Sequence, residues 1–69
     1  MASPWKINNY SFGGVTLIVY TRATRDGQEF EVADEENVHR LSGMGEPTLD
    51  VLEGIARDII DEQRKGIVQ

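Results

Sequence analysis

The sequence predicts a single α+β domain spanning residues 1–69, a small antiparallel sheet with a helix packed on one of its faces. Three observations predict it. The first half is rich in β-branched and aromatic residues, most densely in Val15-Thr16-Leu17-Ile18-Val19-Tyr20-Thr21. Glycine pairs or Asp-Gly steps punctuate that half where hairpins would turn. The last third repeats apolar residues at three- and four-residue spacing, the period of an amphipathic helix.

The elements follow in order. Gly13-Gly14 closes a first hairpin, in which Phe12 faces Val15, Tyr10 faces Leu17 and Ile7 faces Tyr20. Asp26-Gly27 closes a second, since a type I′ loop needs positive φ at both central residues. With that loop Arg25 faces Gln28, Ala23 faces Phe30, Arg22 faces Glu31 and Thr21 faces Val32. The result is a three-stranded meander with Val15–Thr24 in the middle, apolar on both faces as a central strand can be. Asp34-Glu35-Glu36 then predicts a short helix, with Asp34 as cap, acids in the first turn and Val38 and Leu41 as its apolar pair. Ser42-Gly43-Met44-Gly45 breaks it. The long helix runs from about Thr48 to Lys65, roughly 27 Å at 1.5 Å per residue. Pro47 suits its first turn. Its stripe is Leu49, Leu52, Ile55, Ala56, Ile59 and Ile60, and Glu53-Arg57, Arg57-Asp61 and Asp61-Lys65 are charge pairs on its polar side. Gly66 and Ile67 read as the left-handed end and its apolar follower. The predicted core joins Tyr10, Phe12, Val15, Leu17, Val19, Phe30 and Val32 to Leu49, Leu52, Ile55, Ala56 and Ile59.

Composition narrows the function. Twelve acids against seven Lys and Arg give a net charge of −5. That balance disfavours direct nucleic-acid binding, which depends on basic contacts to phosphate, and suits a protein partner with a basic surface. There is no cysteine, so disulfides and thiolate zinc sites are excluded. Met1–Lys6 lacks the apolar run of a signal peptide, and Leu17–Tyr20 is far short of the ~20 residues of a membrane span, so the expected setting is the cytoplasm, away from membranes.

No reaction, metal site or cofactor site is legible. His39 stands alone, three and four residues after Glu36 and Glu35. The acidic run Glu29, Glu31, Asp34, Glu35, Glu36 lacks calcium-loop spacing. Gly13-Gly14 and Gly43-Met44-Gly45 match neither a Walker loop nor a dinucleotide fingerprint. Ser3, Ser11 and Ser42 lack a nucleophile-elbow context. The expectation is a non-enzyme that works by binding. Two surfaces are candidates. One is the sheet face away from the helix, carrying Trp5, Ile7, Ile18, Tyr20 and Arg22, since Trp, Tyr and Arg are the residue types of binding hot spots. The other is the acidic set Glu29, Glu31, Glu35 and Glu36. Self-association through the open face, as in a small structural or virion subunit, is the rival expectation.

The layout resembles that of very small phage proteins, among them the anti-CRISPR inhibitors. The residues that carry it are the hairpin Leu17-Ile18-Val19-Tyr20 to Phe30-Glu31-Val32, a short helix Glu36–Leu41, the glycine break Gly43-Met44-Gly45 and the long C-terminal helix. The resemblance implies a non-enzymatic inhibitor that occupies a surface of a larger host complex, in the host cytoplasm. It has no position-by-position motif, so it assigns no functional residue.

Overall fold

The computed structural model describes residues 4–67. The order is β1 (Lys6–Phe12), β2 (Val15–Thr24), β3 (Gly27–Ala33), β4 (His39–Met44) and α1 (Leu49–Ile67). The four strands form one antiparallel sheet in chain order. The α+β class stands, but the sheet has four strands where three were expected.

The first hairpin turns as its sequence requires. Gly13 and Gly14 have φ of 56° and 86°, the two positive values of a type I′ loop. Phe12 pairs with Val15, Tyr10 with Leu17 and Ile7 with Tyr20.

The second hairpin differs from expectation by two residues. Its loop is Arg25-Asp26, closed by Thr24 against Gly27, and Arg22 faces Glu29 while Glu31 faces Tyr20. Asn37 is the one non-glycine described residue with positive φ, so Arg25 and Asp26 turn with ordinary φ and Gly27 alone takes a positive value, 132°. A type I′ loop is thereby excluded. The slip is even-numbered, so every side chain keeps its face.

The short helix expected after Asp34 is absent. Asp34 begins a tight turn instead. Its backbone N–H donates to the Val38 carbonyl (3.1 Å), and the Asn37 N–H donates to the Asp34 carbonyl (2.9 Å). Its Oδ1 accepts the N–H groups of Glu36 and Val38, both at 2.9 Å. Asn37 supplies the left-handed φ, 68°, that this residue type tolerates. A side chain accepting nearby N–H groups is also how an N-cap works, which is why the sequence reads as a helix start. The chain then returns as β4, with Leu41 beside Val32 and Gly43 beside Phe30. A Cβ at position 43 would lie 3.1 Å from the Phe30 ring, so the glycine makes room for that ring. The register steps between Val32 and Ala33, leaving Arg40 as an extra residue on β4.

Thr48 caps α1, its Oγ1 accepting the Val51 N–H at 3.2 Å. Pro47 therefore precedes the helix instead of opening it. At the other end the helix continues through Gly66 to Ile67, so Gly66 does not terminate it. The packing expected of Ile67 lies outside the described side chains, and residues 1–3 lie outside the described chain.

The core is Val15, Leu17, Val19, Phe30 and Val32 from the sheet against Leu52, Ala56 and Ile59 from the helix, with Phe12, Ile55 and Ile60 half-buried at its margin. Tyr10 and Leu49, expected inside, are exposed, Leu49 at 64%. Leu49 sits in the first turn of α1, before the stripe reaches the sheet. Ala33, not expected, is fully buried.

Candidate interaction face

The helix covers one sheet face, and the registers define the other. One row across it holds Ile7, Tyr20, Glu31 and Ser42, and a second holds Asn9, Ile18, Ala33 and His39. A third joins Arg22, Glu29 and Met44, with Trp5 just before β1 alongside Arg22. Alternation along each strand forces this assembly: the even positions of β2 point away from the helix because Val15, Leu17 and Val19 are buried beneath it.

Trp5, Ile7, Ile18, Tyr20 and Arg22 thus meet as expected. The Arg22 guanidinium lies 4.4 Å from the centre of the Trp5 ring, a cation–π contact, and also forms an ion pair with Glu29. Trp5 is 37% exposed and Ile7 61%, while Ile18 and Tyr20 are half-buried. His39 Nδ1 is 3.2 Å from Glu31 Oε2.

The acidic run divides. Glu29 and Glu31 belong to the same face as the aromatics, interleaved with them. Glu35 and Glu36 lie in the Asp34 turn, exposed and off that face. The two surfaces read from the sequence are therefore one mixed face plus a detached acidic corner. Met44, 57% exposed, and His39 join the face and were missed, because their segment reads as a helix and its break. Leu41-Ser42-Gly43-Met44 carries no alternation that could have placed them, since Gly43 stands where an apolar residue would continue it.

Sequence reading also missed a cross-link behind the turn. The Arg40 guanidinium donates to Asp34 Oδ2 through Nε (3.1 Å) and Nη2 (2.9 Å). It reaches Glu62 of the helix through Nη1 (2.7 Å) and Nη2 (3.2 Å). Burial alone would raise the Asp34 pKa. Hydrogen bonds from the Val38 N–H, Arg40 and the Glu36 N–H outweigh it, and hold the carboxyl below its ordinary 3.8. Hydrogen bonding by Arg40 lowers Glu62 below its ordinary 4.5. Glu62 and then Asp34 in turn raise the Arg40 pKa. This cluster ties β4 and its turn to the helix.

Among the described residues no group of three or more His, Asp or Glu is arranged to hold a metal ion. None of the helices among them is long and apolar enough to cross a membrane. No protein-family model, curated protein or solved structure matches the chain.

Proposed function

We propose that this chain is a non-enzymatic protein-binding module whose open sheet face docks a protein partner. The observation that carries the reading is the exposed Trp5 held by Arg22 at one end of an uncovered, mixed apolar and charged face. The face combines a large amphipathic ring, aliphatic area and ion pairs that satisfy each other, the composition of a hot spot ringed by polar groups. Removal of Ile7, Ile18 and Tyr20 from water would supply affinity at ~25 cal/mol per Å². Glu35 and Glu36 stand apart and would steer encounter with a basic partner, a contribution screened over about 8 Å at physiological salt. The likeness in layout to small phage inhibitors agrees with occlusion of a larger complex, and rests now on the hairpin and long helix alone. A cytoplasmic setting belongs to the same reading. The alternative is self-association of this face in a structural subunit.

A photo-crosslinking residue in place of Ile18, compared with one in place of Asp58 on the outer side of the helix, tests the reading in cells. The expected result is a discrete heterologous adduct from position 18 only, lost when Trp5→Ala is added. Equal labelling from both positions would sink the proposal. An adduct at twice the 7.7 kDa chain mass alone, with no heterologous adduct, would show self-association in place of partner capture.

A further inference from the structure

Among the described residues the sheet has two free edges, β1 and β4, and they are built differently. β4 is blunted by the Arg40 irregularity and by the charge of Arg40, which is drawn toward the helix. Irregularities and charges are the usual protection of an edge against strand addition. β1 has neither. Its register with β2 is unbroken over seven residues, and its one charge, Lys6, sits at its start.

The hairpin fixes which backbone groups β1 presents. A two-residue loop closes on a hydrogen-bonded pair, here Phe12 with Val15, and bonded pairs then alternate. Phe12, Tyr10, Asn8 and Lys6 are committed to β2. The N–H and C=O groups of Ile7, Asn9 and Ser11 point outward, a ready row for another strand.

We infer that β1 pairs antiparallel with β1 of a second copy of this chain, about a two-fold axis at Asn9, making one eight-stranded sheet. Three features favour a second copy as the occupant. The edge is self-complementary: with Asn9 opposite Asn9, Ile7 meets Ser11, Asn8 meets Tyr10, and Lys6 meets Phe12, so no like charges oppose each other and the two amides can bond across the axis. None of the 12 carboxylates lies on β1 or β2, so two molecules of charge −5 can approach here. The helix flank above this edge carries Glu53 paired with Arg57 at 2.9 Å, which is locally neutral. Finally, the core is incompletely closed along β1: Tyr10 is exposed, and Phe12 and Ile60 are only half-buried. A second β1 would cover that margin. The symmetry puts both helices on one side and joins the two open faces on the other, so a dimer would present the proposed docking face twice, continuously.

Sedimentation velocity of the full chain over a concentration series tests this. The wild type is expected to form a dimer. Asn9→Pro removes one outward N–H and no bond to β2, and should yield a folded monomer. Should that variant fail to fold, side-chain variants decide. Asn9→Lys and Asn9→Glu each put like charges on the axis and should weaken the dimer about tenfold or more, while an equimolar mixture of the two should restore it. A wild type that stays monomeric up to about 1 mM, the weak end of specific association, overturns the inference. So does a dimer that tolerates both charged variants. A dimer lost in Trp5→Ala/Tyr20→Ala but kept in the Asn9 variants overturns it too, and assigns self-association to the open face. The photo-crosslink at position 18 is read by its heterologous adduct, whereas the sedimentation series reads self-association alone, so the two proposals fail separately.

Discussion

Asp34 decides more of this structure than any other side chain. One of its oxygens holds the turn through two N–H groups, and the other holds Arg40, which holds the helix. Asp34→Ala removes both functions and leaves part-buried donors without partners, at a cost of about 1–3 kcal/mol. Asp34→Asn keeps an acceptor for the turn but sets an NH2 donor against Arg40, so it loses the ion pair and keeps the turn, and should cost less than Asp34→Ala. Urea unfolding of both variants checks the order. The same cluster sets the acid response. Asp34 and Glu62 have folded pKa values below their ordinary 3.8 and 4.5, so the unfolded chain binds protons more readily. Their contribution is complete above about pH 5 and is lost as the pH falls through those ordinary values toward the lower folded ones. Asp34→Asn should flatten the decline in stability between about pH 5 and pH 3, and an unchanged slope would show that this carboxylate is not its source. None of this was legible beforehand. An acceptor that can cap a helix or nucleate a turn leaves the same mark in a sequence, and the deciding partner, Glu62, lies 22 residues beyond Arg40.

At the scale of elements, legibility followed the locality of the signal. Gly13-Gly14 fixed its hairpin to the residue, because two adjacent glycines admit one short loop. Arg25-Asp26-Gly27 left two registers open, and both put the same side chains inside, so the core pattern could not separate them. β4 was missed because Gly43 interrupts its alternation, for a reason that lies across the sheet in the Phe30 ring. Gly27 offers a direct check. Its φ of 132° lies well beyond the left-handed well near +57° that asparagine accepts. Gly27→Asn and Gly27→Val should therefore both destabilise, by about 1–3 kcal/mol. Gly13→Asn, at φ 56° and with only an ordinary contact to Ile60, should be tolerated. Thermal melts of the three variants separate these outcomes. The helix stripe was readable, but not how far it reaches the sheet: Leu52→Ala should cost about 2–5 kcal/mol, whereas Leu49→Ala should stay within about 0.5 kcal/mol. Equal losses at both positions would mean that the helix sits one turn away from its present place.

The whole molecule is a sheet whose two sides are built differently. One side is closed by a single helix and holds the fold together. The other is left to Trp5, Tyr20 and their neighbours, which can be truncated with little loss of the core. Trp5→Ala/Tyr20→Ala is accordingly expected to keep a cooperative melt while losing capture of the proposed protein partner. The open face was predictable because one helix cannot cover two sides of a sheet. The merging of its carboxylates with its aromatics needed the strand registers. The strand order carries a kinetic consequence. Each strand pairs only with its neighbour in the chain, so the sheet can assemble by successive short loop closures, the kind of topology that folds fast. Only the helix must return across the chain, to meet residues that are already paired. If it docks after the rate-limiting step, Leu52→Ala will speed unfolding and leave refolding almost unchanged, while Gly27→Val, in a turn formed early, will slow refolding. Stopped-flow chevrons of the two variants would then bend on opposite limbs, recording the order in which the two layers of this protein come together.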